Sequence, residues 1–361
     1  LWDNSRLNYV RLSQEIGAKL CYNFKYIWSF QITYNLRRFY LEKRVHLIRK
    51  GEDMNQNDSK DLSLRNMLIL TSFLGILLIA SSFIFGIRVY AVAAVSYIVS
   101  FIIEFAFVKA RGKKLDNSWM VTPMILALLV PPNAPLWMVG IGAGFAIFFG
   151  KMIFGGLGKT VFNPALVGIV FITVSFIPYM TTQWLNPQTG DITSQPPIMQ
   201  LMVGMPFDWE LRDLLLGNVP GMIGETFIVG IVILGIALLL LKIADWRITV
   251  SLLVSYFILQ SIGYFLLPDT FGNPLYAMIT GTLLFAAFFV ATDPVTAPDY
   301  KGGRLVYGFG IALLTLIIRT FSAFPEGIVF AIILMNAIAP HIDAWYESRQ
   351  ETQENTTEVA S

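Results

Sequence analysis

The chain has 361 residues, 55% of them hydrophobic and only 14% charged, where a soluble domain carries about 25% charged residues; a soluble fold is excluded. The net charge of +2 sums a basic N-terminal region and an acidic C-terminal tail, and gives no reason to expect nucleic acid as a partner. A single cysteine, Cys21, excludes a disulfide framework, an iron–sulfur cluster held by the chain's own cysteines and a multi-cysteine zinc site, and the two histidines, His46 and His341, offer no metal-ligand spacing. Redox chemistry, if present, then needs an organic cofactor or a partner's metal. Mean hydropathy is +0.62, and apolar runs of about 18 to 20 residues match the hydrocarbon thickness a helix must cross. The expectation is an all-α, polytopic membrane protein.

Residues 1–65 hold twelve of the 26 Lys and Arg, interleaved with Tyr and Phe and without a long apolar run. Two readings stand: a basic cytoplasmic segment lying on the anionic inner leaflet, or, over 1–53, upstream DNA translated in front of a start at Met54. From there ten apolar spans are expected, near 66–86, 89–108, 120–131, 136–152, 162–180, 222–242, 247–267, 273–291, 305–319 and 325–341. They divide the chain into a first membrane repeat over 66–180, an outer-face loop over 181–221, a second repeat over 222–341 and an acidic cytoplasmic tail over 342–361.

Cytoplasmic loops collect Lys and Arg. With the N-terminus inside, eleven of the remaining fourteen basic residues fall on cytoplasmic ends, among them Lys109, Lys113, Lys114, Lys151 and Arg304, and only Arg88, Arg212 and Arg319 fall outside. Both termini are then cytoplasmic, and the polar stretch with Asp191, Asp208, Glu210 and Asp213 faces out.

The halves echo each other. Val130-Pro131-Pro132 precedes a Gly-rich helix ending at Lys151; Thr292-Asp293-Pro294 precedes Tyr307-Gly308-Phe309-Gly310 and a helix ending at Arg319. Phe162-Asn163-Pro164 pairs with Phe324-Pro325-Glu326. Five spans per half is an odd number, so the halves are inverted, and Pro-broken helices place a pore or cofactor site between them. The plainer alternative is that these prolines only end helices at loops.

Ionisable groups at membrane depth are functional candidates by default. Glu104 reads either as an interfacial carboxylate facing Lys109 or as a cation or proton relay. Glu225 reads as a first-turn acid favoured by the helix dipole or as part of an ion path. Asp293, beside Thr292 at a broken helix end, could gather carboxylate, hydroxyl and carbonyl oxygens round a small cation. Glu326 reads as a cap. The stretch Phe154-Gly155-Gly156-Leu157-Gly158-Lys159-Thr160 lacks the spacing of a phosphate loop; it is either a tight connection or a place where Gly155, Gly156 and Gly158 let a planar ligand approach, with Asn163 as its hydrogen-bond partner.

Five motifs in order, Val130-Pro131-Pro132 with Pro135-Leu136-Trp137, Phe154-Gly155-Gly156-x-Gly158 with Phe162-Asn163-Pro164-Ala165-Leu166, Gly217-Asn218-x-Pro220-Gly221-x-Ile223-Gly224-Glu225, Ala291-Thr292-Asp293-Pro294-Val295 and Pro325-Glu326-Gly327, resemble the NqrB/RnfD family over about residues 66–341. The resemblance implies the membrane flavin subunit of an ion-translocating NADH:quinone or Rnf oxidoreductase in the inner membrane, with the complex's other subunits and quinone as candidate partners and Na+ or H+ as the coupled ion. It also implies ten spans, cytoplasmic termini and an inverted repeat. Asn163 takes the place of the family's residue near a non-covalent riboflavin, Asp293 that of the acid linked to cation uptake, and Glu104 that of an acid in the second span. The family's covalent FMN sits on the last Thr of a Ser/Thr-Gly-Ala-Thr motif. Aligned on Ser194, that position here is Pro197, which has no hydroxyl to esterify; Thr193, Thr189, Thr181 and Thr182 are the nearby alternatives. Non-covalent riboflavin or FMN is therefore expected, with no covalent FMN at the usual site. A permease or channel that has left redox work is the alternative function.

Overall fold

The computed structural model describes residues 64–360 apart from 113, 114, 116, 193, 194, 206, 208, 269, 323 and 325, and no side chains beyond 350. The N-terminal segment, Lys113, Lys114, Thr193, Ser194, Asp208 and Pro325 therefore lie outside the described residues. Among the described residues every regular element is helical.

Among the described residues five helices are long and apolar enough to cross a membrane: α1 (Leu64–Phe85), α2 (Arg88–Ala110), α10 (Trp246–Leu266), α13 (Lys301–Phe321) and residues 327–350 of α14 (Gly327–Ala360). Only 28% of the apolar window of α1, α2 and α10 is buried, and their outward faces carry Ile76, Phe83, Ile98, Ile102, Val254 and Phe265. Apolar surface of that extent is incompatible with water and suits lipid. This is an all-α membrane protein.

The other expected spans are short or broken. Residues 120–131 give α3 (Val121–Leu128) and 136–152 give α4 (Leu136–Phe145), which runs on into a wide turn over Ala146–Met152. Residues 162–180 divide into α5 (Pro164–Ser175) and α6 (Ile177–Thr181); short α7 (Pro197–Met202) and α8 (Leu211–Leu216) follow. The span expected from 222 begins only at α9 (Ile228–Leu240), and 273–291 is divided into α11 (Pro274–Ile279) and α12 (Leu283–Phe289). Gly281 makes that division with φ +70°, a conformation glycine adopts without strain. At the other extreme α14 runs past the expected 341, with Pro340 inside it.

A helix broken among apolar neighbours leaves backbone groups that need partners. The end of α3 finds them in the non-helical stretch before α9: Gly224 N–H donates to Leu128 C=O at 2.7 Å and Ile223 N–H to Val130 C=O at 3.1 Å. Ser81 of α1 donates its hydroxyl to Ile223 C=O at 2.5 Å. Arg88 reaches Asn133 C=O and Ala134 C=O, both at 3.1 Å, so this basic residue on the outer side of the charge count has a structural task. The approach of the two strands of backbone needs glycine, because a Cβ at 224 would stand 2.6 Å from Leu128 Cβ. Gly224→Ala is expected to cost about 1–3 kcal/mol through overpacking, read as a lower thermal midpoint of the purified protein in detergent; an unchanged midpoint would mean this stretch is not seated against α3.

Candidate functional site

Two buried polar clusters flank the broken helices. Three helices run from one to the other. Asn163 caps the start of α5 while Thr173 lies near its end; Glu225 precedes α9 while Ala244 follows it; Thr282 precedes α12 while Asp293 follows it. At 1.5 Å per residue, α9 alone separates the two ends by ~20 Å.

The first cluster surrounds a cleft with about 800 Å³ of empty space, counted to its open mouth, bounded by α1, α3, the turn after α4, the start of α5, the end of α9 and the break after α12. Phe288, Phe289, Ile125 and Leu238 supply apolar walls; Lys151, Thr122, Thr160, Asn163, Thr292 and Asp293 supply polar groups. That mixture, apolar walls with a few placed polar groups, is the lining of a small-molecule site.

Asn163 earns its position locally. Its side-chain oxygen accepts from Ala165 N–H at 3.1 Å and Leu166 N–H at 3.4 Å, the N-cap pattern for a helix opening on proline. The amide nitrogen is left to donate to Asp293 Oδ2 at 3.2 Å, joining residues 130 apart in the chain. Asn163's own N–H donates to Asn336 Oδ1 at 3.1 Å, and Asn336 donates onward to the Tyr307 hydroxyl at 2.6 Å. Asp293 holds its turn through Val295 N–H at 3.1 Å and the Thr296 hydroxyl at 3.3 Å. Thr292, also on the cleft, donates its hydroxyl to Phe288 C=O at 3.0 Å.

Glu104 does not face Lys109 across an interface. It is 1% exposed and accepts from Lys151 Nζ, equally buried, at 2.5 Å. Lys151, assigned by charge counting to a cytoplasmic end, is inside the bundle on the cleft wall. It sits in the turn that follows α4, where Ile153 N–H bonds back to Phe148 C=O and Gly156 N–H to Lys151 C=O, both five residues apart. Such wide turns change the face that following residues present and recur at functional sites.

Gly155, Gly156 and Gly158 adopt φ of +112°, +102° and +78° and shape the connection to α5. Leu157 and Thr160 from the same connection line the cleft, so the glycines border the site rather than wall it. Pro197 is buried at the first position of α7. Of the nearby hydroxyls, Thr181 is buried and bonds Ile177 C=O, Thr182 bonds Pro178 C=O and Thr189 bonds Asp191, each at 2.8 Å.

The second cluster corrects the reading of Glu326 as a helix cap. Its carboxylate accepts from Thr282 N–H at 2.9 Å and from the Thr282 hydroxyl, reaching across to α12 rather than into its own first turn. Glu225 accepts from Met222 N–H at 2.9 Å. Arg319, another of the three exceptions to the charge count, is 3% exposed and donates to Ala277 C=O at 2.9 Å, Thr280 C=O at 3.3 Å and the Tyr256 hydroxyl at 3.2 Å. Sequence reasoning passed over Lys151, Asn336 and Arg319 as site residues. The available signal was the same for all three: a polar side chain inside an otherwise apolar run.

Residues 55–351 match the family described as NQR2, RnfD, RnfE. The chain is also similar to several proteins named as a subunit of the ion-translocating oxidoreductase complex. The one from Shewanella frigidimarina is 34% identical over 74% of this chain and 88% of its own length. That from Alcanivorax borkumensis is 35% identical over 70% and 82%, and that from Yersinia pseudotuberculosis 31% identical over 82% and 95%.

Proposed function

The chain belongs to the NQR2, RnfD, RnfE family, and from that premise we infer that it is the membrane subunit of an ion-translocating oxidoreductase complex, working beside the complex's other subunits. Within that role it passes electrons through a non-covalently held flavin, riboflavin or FMN, and couples their passage to movement of Na+ or H+, with quinone a candidate partner. The chain lies in the inner membrane as ten spans in two inverted repeats, with both termini cytoplasmic. The matching placement of two broken helices, α3 and α12, supports the repeat.

The observation that carries this reading is the cleft where Asn163 and Asp293 meet from opposite halves of the chain. Its residues fit a flavin: Phe288 and Phe289 offer apolar faces to a planar ring, and Asn163, Thr122 and Thr160 offer hydrogen bonds to its polar edge. When bound, the flavin supplies the electron chemistry. The protein's part is to position and bury it and to keep Lys151 and Asp293 on the same wall, a cation and an anion whose balance responds to charge arriving nearby. The outer loop offers no hydroxyl at Pro197, so this reading includes no ester-linked FMN there.

Flavin content of the detergent-purified protein tests it, read as fluorescence in a denaturing gel and in the acid-released supernatant. Flavin in the supernatant alone is the expected result. A fluorescent gel band would overturn the non-covalent assignment, and flavin in neither fraction would favour a permease, which solute flux into vesicles without an electron donor then checks.

A further inference from the structure

The second cluster stands at the opposite ends of α5, α9 and α12 from the cleft, and nothing in the electron-transfer reading uses it. Glu225, Glu326 and Arg319 are 4%, 7% and 3% exposed. Arg319 and Glu326 lie side by side beneath Gly281, where a Cβ would come within 2.9 Å of Arg319 Nη2 and 3.0 Å of Glu326 Oε1. Glu225 is held to Met222 N–H at 2.9 Å, and Met222 and Glu326 border the same small cavity. The remaining groups turned to them are the Tyr256 hydroxyl from α10, through Arg319, and Thr282 from the start of α12.

Each carboxyl uses one oxygen in a structural bond and leaves the other without a partner: Glu225 Oε2 and Glu326 Oε1 are buried and unbonded, as is Thr226 Oγ1 on the residue after Glu225. Buried acceptors left this way carry a desolvation cost, larger when charged. The charges are also unbalanced, since two carboxylates and one guanidinium sum to −1. Carboxylates gathered in a low-dielectric site favour a cation among them. Beside them a small cavity lined by Glu326, Thr173, Thr181 and Met222 among others, with room for about one water-sized particle, adds further oxygens.

We propose that Glu225 and Glu326 form an exchangeable monovalent-cation site, holding one H+ or one Na+ between their carboxyl groups, with Arg319 anchored behind them as a fixed counter-charge. The proposal rests on the ion-translocating reading and assigns this cluster as the ion's station at the end of the bundle away from the flavin cleft. It accounts for the charge balance, because one bound cation brings the cluster to neutrality. It also accounts for the two unbonded carboxylate oxygens, since a hard cation takes oxygen ligands.

Infrared difference spectra of the purified full chain in detergent test this through the carbonyl band of a buried protonated carboxyl. The band is expected in the native protein and in Asp293→Asn, and is expected to be lost in both Glu225→Gln and Glu326→Gln. Its disappearance when Na+ replaces choline at constant pH assigns the site to Na+; its persistence in Na+ and loss on raising the pH assigns it to H+. A band that survives in both Gln variants, or no such band at any pH and no Na+-dependent carboxylate change, would overturn the proposal. Should Glu326→Gln aggregate on gel filtration, Glu225→Gln decides alone. In the assembled complex, ion dependence altered by Asp293→Asn but by neither Gln variant defeats this site only, whereas ion dependence untouched by all three defeats the translocation reading itself.

Discussion

Lys151→Met is expected to destabilise the protein by about 3–5 kcal/mol, because it removes one partner of a buried ion pair and leaves the other charged. Both side chains are 1% exposed and the contact is 2.5 Å, so Glu104 has no route to bulk water when the ammonium is gone. The loss should show as a thermal midpoint well below that of the native protein in the same detergent. Adding Glu104→Gln to Lys151→Met should recover most of it, since the pair is then replaced by two uncharged side chains of similar size, an exchange that is often close to neutral. A double variant as unstable as the single would mean that Lys151 contributes through packing of its stem and not through its charge. An unchanged single variant would mean the ammonium does not hold α2 against the turn after α4.

That pair also shows what a sequence can and cannot disclose. Continuous spans such as α1, α2, α10 and α13 were legible because a run of about 20 apolar residues has few other folds open to it. The start of α9 was not: a span was expected from 222, yet Ile223 and Gly224 donate their N–H groups to the end of α3, a tertiary effect that no local pattern carries. Asn163 and Asp293 were legible as candidates, since each stands at a proline-marked helix end, but their contact across 130 residues was not. Lys151 and Arg319 were sorted by a rule about loops, and both are interior. The rule reads numbers of basic residues near membrane ends, and an interior cation one turn from the end counts the same as an exposed one. Glu326 was read as a cap because it precedes a helix; its true partner, Thr282, comes from an element 44 residues away.

Asp293 gives the second large effect, on ion coupling instead of folding. Its Oδ1 holds the Val295 N–H and its Oδ2 receives Asn163 and the Thr296 hydroxyl, so Asp293→Asn preserves the size of the side chain and an oxygen for the turn while removing the charge. Hydrogen bonds to an ionised acceptor are roughly twice as strong as neutral ones, and a cation loses its direct Coulomb partner as well. The expected result in the assembled complex is a rise of at least about tenfold in the ion concentration giving half-maximal turnover, equivalent to about 1.4 kcal/mol. Asp293→Ala removes the charge and also frees Val295 N–H, so it should add a fall in maximal turnover as the break after α12 loses its shape. The comparison separates the two roles: if Asn behaves as the native protein and Ala alone is impaired, Asp293 serves the turn, and if both shift the ion dependence together, the carboxylate lies on the path. Unchanged ion dependence in both variants would remove Asp293 from that path and leave the cleft a cofactor site alone.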